Sequence, residues 1–124
     1  MTAKRGGIVV RIGGELAFVP IDLALRVAPG PNVTRVVGAP SALRGVALFE
    51  GGVVPVVAVG ESDGAMLVCD WAGQRVGLVG LDLVASGVFN VDPNDSARVL
   101  HDGHPAKPLH LTEVVAKATG RAGA

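Results

Sequence analysis

The chain has no tyrosine, a single cysteine and only four aromatic side chains: Phe18, Phe49, Trp71 and Phe89. So few rings leave no platform on which successive bases could stack. Cys69 has no second cysteine to pair with, and it lies in the apolar run Met66-Leu67-Val68-Cys69. It is expected as a small core residue, in a protein of a reducing, cytoplasmic compartment. A charge excess is also missing: 11 Lys and Arg balance 11 Asp and Glu. That balance lacks the basic footprint of a general nucleic-acid binder. Long apolar runs are absent around the centre of the chain, where the uncharged stretch Gly51 to Gly60 spans ten residues. A membrane-crossing helix needs roughly 20. Met1 to Gly7 is polar and no secretory signal pattern follows, so this segment is expected as a flexible leader.

What is present is apolar and β-branched. Hydrophobic residues make up 49% of 124 residues, mean hydropathy is +0.48, and there are 18 glycines. This suffices for one domain with a core of Val, Ile and Leu, built from short strands and glycine turns. The domain is expected over residues 8–118, with flexible tails at 1–7 and 119–124.

The organising stretch is Leu43 to Val59, in which two apolar runs flank Glu50-Gly51-Gly52. Apolar runs rich in β-branched residues on either side of a glycine pair predict a hairpin. Ile8 to Ile12, Gly13-Gly14 and Leu16 to Ile21 predict another. Asp22 is placed to cap a helical turn over Leu23 to Val27, ended by Pro29-Gly30-Pro31. Val33 to Val37 reads as a short strand. Met66 to Cys69 and Val76 to Val79 read as strands around the turn Ala72-Gly73-Gln74. Leu81 to Ala85 fits a strand or a short helix. Val88 to Val91 is a strand ending at Asp92-Pro93-Asn94-Asp95, and Thr112 to Ala118 is a short helix.

The two halves resemble each other. Val19-Pro20-Ile21-Asp22-Leu23 matches Val79-Gly80-Leu81-Asp82-Leu83, and Leu48-Phe49-Glu50-Gly51 matches Leu100-His101-Asp102-Gly103. Each half reads hairpin, connection, strand, acidic-Gly turn, strand. Two similar β units with facing apolar surfaces are implied, each closed into a barrel to hide its strand edges.

Groups with catalytic potential are few. Asp22 and Asp82 hold matched positions, and paired carboxylates can perform hydrolysis by sharing a proton. Each is followed by Leu rather than by a hydroxyl residue and glycine, so turn or cap aspartates are expected. His101, His104 and His110, with Asp102, are the metal-like group, but their Gly/Pro loop favours solvent-facing histidines. No serine sits in a nucleophile elbow and no glycine pattern has the phosphate-loop form. Arg26, Arg35 and Arg44 read as a solvated edge. What remains is a binding module, with an apolar groove between subdomains into which partner helices dock.

The ordered series of motifs resembles the CheW-like chemotaxis coupling proteins. Ala17-Phe18-Val19-Pro20-Ile21-Asp22 is similar to that family's opening strand, and Val33 to Pro40 to its "v-T-r-v" stretch. Leu43-Arg44-Gly45-Val46, Val53-Val54-Pro55-Val56-Val57 and Gly73 to Leu78 continue the likeness. The resemblance implies an all-β fold of two small SH3-like five-stranded barrels around a shared apolar core, with short helical turns. It implies a non-enzymatic adaptor without cofactor or metal, joining chemoreceptor cytoplasmic tips to a CheA-type histidine kinase regulatory domain. Its partner-binding candidates are Ala24, Val27, Arg44, Gly45, Leu48, Glu50, Gly77 and Val84. The departures are specific. Glu50 stands at the family's usual arginine, Leu48 at its asparagine and Ala58 at its aspartate. The segments at 60–64 and 92–98 are short. These imply a kinase interface altered or lost, with the receptor interface kept. The alternatives are a β-barrel interaction module with an unrelated partner and a duplicated-barrel aspartyl hydrolase.

Overall fold

The computed structural model describes residues 3–28, 33–34 and 43–118. The elements in chain order are β1 (Lys4–Ile12), β2 (Glu15–Pro20), β3 (Ala24–Ala28), β4 (Leu43–Phe49) and β5 (Gly52–Ala58). There follow β6 (Ser62–Trp71), β7 (Gln74–Gly80), β8 (Asp82–Asp92), β9 (Asp95–His101), β10 (His104–Pro108) and α1 (Leu111–Ala118). Four hairpins close on two-residue turns, Gly13-Gly14, Glu50-Gly51, Ala72-Gly73 and Asp102-Gly103. All eight of these residues have positive φ. That is the turn whose twist matches paired strands.

The expected pair of five-stranded units is present. One is a closed barrel in the order β1-β2-β10-β9-β8; the other is a five-stranded sheet in the order β3-β6-β7-β5-β4. The wiring is the same in both: β10 runs parallel to β2 as β5 runs parallel to β7. The sequence halves, however, are not the two units. The barrel joins the β1-β2 hairpin of the first half to β8, β9 and β10 of the second; the sheet joins β6-β7 to β3, β4 and β5. The exchange occurs at the matched segments Pro20–Leu23 and Gly80–Asp82. There Leu23 N donates to Pro20 O at 3.0 Å. Gly80, at φ +89, takes a conformation that a side chain disfavours.

Three expectations change. Leu23 to Val27 is not a helical turn: Ala24–Ala28 is strand β3, paired antiparallel with Met66 to Cys69. Its helix-tolerant composition yields to ladder pairing on a buried neighbour. The leader shortens, because β1 starts at Lys4 and pairs from there with Asn90 of β8. Leu81 to Ala85 resolves as strand, from Asp82 onward within β8. The strand expected over Val33 to Val37 lies mostly outside the described residues. Thr34 bridges Val46 with hydrogen bonds of 2.8 and 2.9 Å. Pro29 to Pro31 and residues 119–124 also lie outside.

Three apolar clusters form. One lies inside the barrel (Val9, Phe18, Phe89, Val99, Ala106) and one behind the sheet (Ala47, Val56, Met66, Val68). The largest lies between the two units and takes Ile8, Val10 and Val19 from the barrel. It takes Val57, Leu67, Cys69, Val76 and Leu78 from the sheet, and Leu111 and Val115 from α1. No helix among the described residues is long and apolar enough to cross a membrane.

Cys69 is fully buried in the shared cluster, and desolvation pushes its thiol from 9.0 up to about 12. The folded state therefore holds the proton that the unfolded chain releases. The associated stability is present below about pH 9 and lost as pH rises towards 12. Urea midpoints of the wild type should fall more steeply above pH 9 than those of Cys69→Ala; equal slopes would contradict the burial.

Candidate functional site

The β4–β5 hairpin carries the exposed members of the candidate set. Its two-residue turn places Leu48 opposite Val53 and Val46 opposite Pro55. Alternation along a strand then separates two faces. Ala47, Val54 and Val56 point inward and are buried, while Leu48 is 78% and Val53 66% exposed. Pro55 is exposed and Val46 half-buried. Together they make an apolar strip on the outer face.

At the turn, Glu50 adopts φ +48, which is costly for a residue with a side chain. Its carboxylate is shared between two guanidinium groups. Arg26 Nη1 lies 2.6 Å from Oε1 and Arg75 Nη1 3.3 Å from Oε2. Arg75 also lies over the Phe49 ring, 5.6 Å from its centroid. The charges form a cluster drawn from β3, β7 and the hairpin turn. Glu50 neutralises one of two arginines, and the local sum is positive.

Apart from Arg44, the remaining candidates are buried, packed against a core or on the other unit. Ala24 is buried in the shared cluster and Val27 is packed against it. Gly45 is a bulge at φ +148, where a Cβ would fall 2.1 Å from the Thr34 carbonyl oxygen. At Gly77 a Cβ would meet Met66 Sδ at 2.3 Å, so the glycine makes room for that side chain. Arg44 is exposed on β4. Val84 stands apart on β8 of the closed barrel, against the barrel cluster. The structure thus gathers Arg44, Leu48 and Glu50 on one hairpin and sets Val84 on the other unit. Val53, Pro55, Arg26 and Arg75 were not among the candidates. A two-residue turn at Glu50-Gly51, rather than one including Gly52, gives the register that pairs Val53 with Leu48.

Open cavities surround the barrel and helix. One of about 490 Å3 is lined by Arg11, Val84, His101, His104 and Lys107 among others. Cavities of about 260 and 610 Å3 lie beside the start of α1. Asp22 and Asp82 are both exposed at the two crossovers, and neither lines these cavities. Among the described residues no three His, Cys, Asp or Glu side chains gather as a metal-binding set. His101 packs edge-on to Phe89, with centroids 6.1 Å apart.

No family model and no curated protein matches the sequence. The architecture does have a counterpart. The crystal structure of the scaffolding protein TtCheW from Thermoanaerobacter tengcongensis superposes with a TM-score of 0.70 at 20% identity, covering 90% of this chain and 86% of that one. The fold is CheW-like. Within this CheW-like fold the exposed strip and the arginine–glutamate cluster belong to the five-stranded sheet, and the cavity carrying both histidines belongs to the closed barrel.

Exposed ion pairs contribute about 0–1 kcal/mol each and are weakened by salt. Glu50→Arg would remove two of them and set three guanidinium groups together. It should lower the unfolding free energy by about 1 kcal/mol at low salt, and by less at high salt. Glu50→Gly, which relieves the positive φ, should cost less. Urea denaturation at two ionic strengths checks both; an unchanged Glu50→Arg would show that the cluster is not maintained in solution.

Proposed function

We propose that the protein is a non-enzymatic adaptor of a chemosensory signalling system, docking the helical cytoplasmic tip of a chemoreceptor. The CheW-like fold supports this at the level of fold, since the counterpart is a scaffolding protein. The single observation that carries it is the apolar strip on the outer face of the β4–β5 hairpin, where Leu48 and Val53 are exposed directly opposite each other beside exposed Pro55 and half-buried Val46. An apolar helix face laid on such a surface removes both from water. Arg44 is exposed on the same strand and can meet acidic residues at the edge of the helix.

The kinase side of the adaptor is altered. Glu50 replaces an arginine of the resembling family, and its charge is taken up by Arg26 and Arg75 within the chain. The ordinary kinase partner therefore meets a rearranged charge cluster. Reversing Glu50 alone would not restore the ordinary charge pattern, because both arginines would remain. The site of action is cytoplasmic, where receptor tips lie.

Leu48→Glu should weaken binding of an isolated receptor-tip fragment at least ten-fold with the thermal transition unchanged. Val88→Glu, at a barrel valine of 67% exposure, should leave binding intact. A kinase regulatory domain should bind the wild type more weakly than the tip does. Isothermal titration checks each. Binding to neither would favour a β-barrel interaction module with an unrelated partner, and ordinary binding to both would contradict the altered kinase interface.

A further inference from the structure

The closed barrel opens at the end where the Gly13-Gly14 and Asp102-Gly103 turns lie. There the cavity of about 490 Å3 is bordered by Arg11, Leu16, Val84, His101 and His104. Strand alternation sets these positions on the barrel-facing side. Arg11 stands two residues beyond Val9 and opposite Leu16; His104 stands two before Ala106 and opposite His101. Val9 and Ala106 belong to the barrel cluster, and Leu16 and Val84 pack against it. His101 rests edge-on against Phe89 of the same cluster. The floor is therefore apolar, and above it stand one guanidinium and two imidazoles. Barrel mouths of this size, within about 300–1,000 Å3, are common places for small molecules.

The matched end of the sheet shows which charge such a place holds. There the acidic turn residue Glu50 lays its carboxylate between Arg26 and Arg75. Its counterpart in the barrel is Asp102, one methylene shorter. Asp102 meets His101 at 3.5 Å, and its side chain stays 86% exposed. Arg11 Nη1 donates to the Gly14 carbonyl oxygen at 3.5 Å, a long bond that leaves the guanidinium able to turn. One unit thus fills its cationic end with its own carboxylate, while the other keeps a cavity there.

The fixed charges lining the cavity balance, Arg11 and Lys107 against Glu15 and Asp102. Glu15 and Lys107 also border the neighbouring cavity of about 260 Å3, so they sit on the rim. Asp82, opposite Arg11 on β8, does not line the cavity. The two imidazoles therefore decide the sign, and once charged they make the mouth cationic. A metal ion suits it less, since Arg11 repels a cation and no three ligating side chains gather among the described residues.

We propose that the barrel mouth binds a small oxyanion, a carboxylate or a phosphate, between Arg11 and the two histidines. The guanidinium fork takes two oxygens in its plane, and the imidazoles of β9 and β10 donate to the others. This site lies on the other unit from the β4–β5 hairpin and is independent of what docks there.

Isothermal titration of the full chain with citrate and, separately, with inorganic phosphate, at about pH 6 and about pH 8 and one ionic strength, tests this. At least one should bind saturably, and about ten-fold more tightly at the lower pH, where the imidazoles are charged. Both probes lose charge towards pH 6, so tighter binding there comes from the protein. At the lower pH, Arg11→Gln and His104→Gln, both at exposed positions, should each weaken binding about five-fold with the thermal transition unchanged. Binding of citrate alone would identify a carboxylate site, and of phosphate alone a phosphate site. Binding of neither, equal affinity at both pH values, or affinity unmoved by both variants would overturn the proposal.

Discussion

Two strands buried on both faces hold this molecule together. In β1, Ile8 and Val10 enter the shared cluster while Val9 between them enters the barrel. In β6, Leu67 and Cys69 enter the shared cluster while Met66 and Val68 enter the cluster behind the sheet. Neither strand can spare a polar residue there, which is why both read as unbroken apolar runs rather than as alternation. Burying each such side chain is worth about 1.5–3 kcal/mol as an upper estimate. The other strands wrap these two, and the two crossovers follow. Each hairpin that supplies a doubly buried strand leaves its continuation to the opposite unit.

That exchange ties the two units together. The barrel and the sheet each contain strands from both halves of the chain, so neither unit can come away without taking apart the other. Their mutual orientation is held by the shared cluster. A surface displayed on the sheet is thereby held in fixed relation to the barrel. Glu50 takes its place in the same economy of surface. An exposed acidic turn residue is paired with Arg26 and Arg75, linking the hairpin tip to β3 and β7.

Three of the four hairpins were legible because turn chemistry is local: Gly13-Gly14, Glu50-Gly51 and Ala72-Gly73 sit between apolar runs. Asp102-Gly103 reads as part of a loop, with the next strand at Leu109 to Leu111, because β10 at His104–Pro108 is polar and carries two prolines while Leu111 opens α1. The repeat was legible too, but not the exchange, since a strand carries no mark of which unit it will join. Ala24 to Ala28 hid its strand because its residues tolerate a helix and only the pairing with β6 decides. Among the candidate residues, exposure was the hidden quantity. Leu48 looks like any strand leucine in the sequence, and it is open because its register partner Val53 faces outward as well. Glycines 45 and 77 read as partner positions but answer to packing against Thr34 and Met66.

The face proposed to dock a partner helix is the outer face of the β4–β5 hairpin. Amide and methyl chemical shifts of the labelled protein, followed during titration with a receptor-tip fragment, address it directly. Docking predicts that the largest changes fall on Val46, Leu48 and Val53 and fade towards Val88 on the far barrel strand. Changes concentrated on the barrel, around Val84 and His101, with the hairpin unmoved, would contradict it.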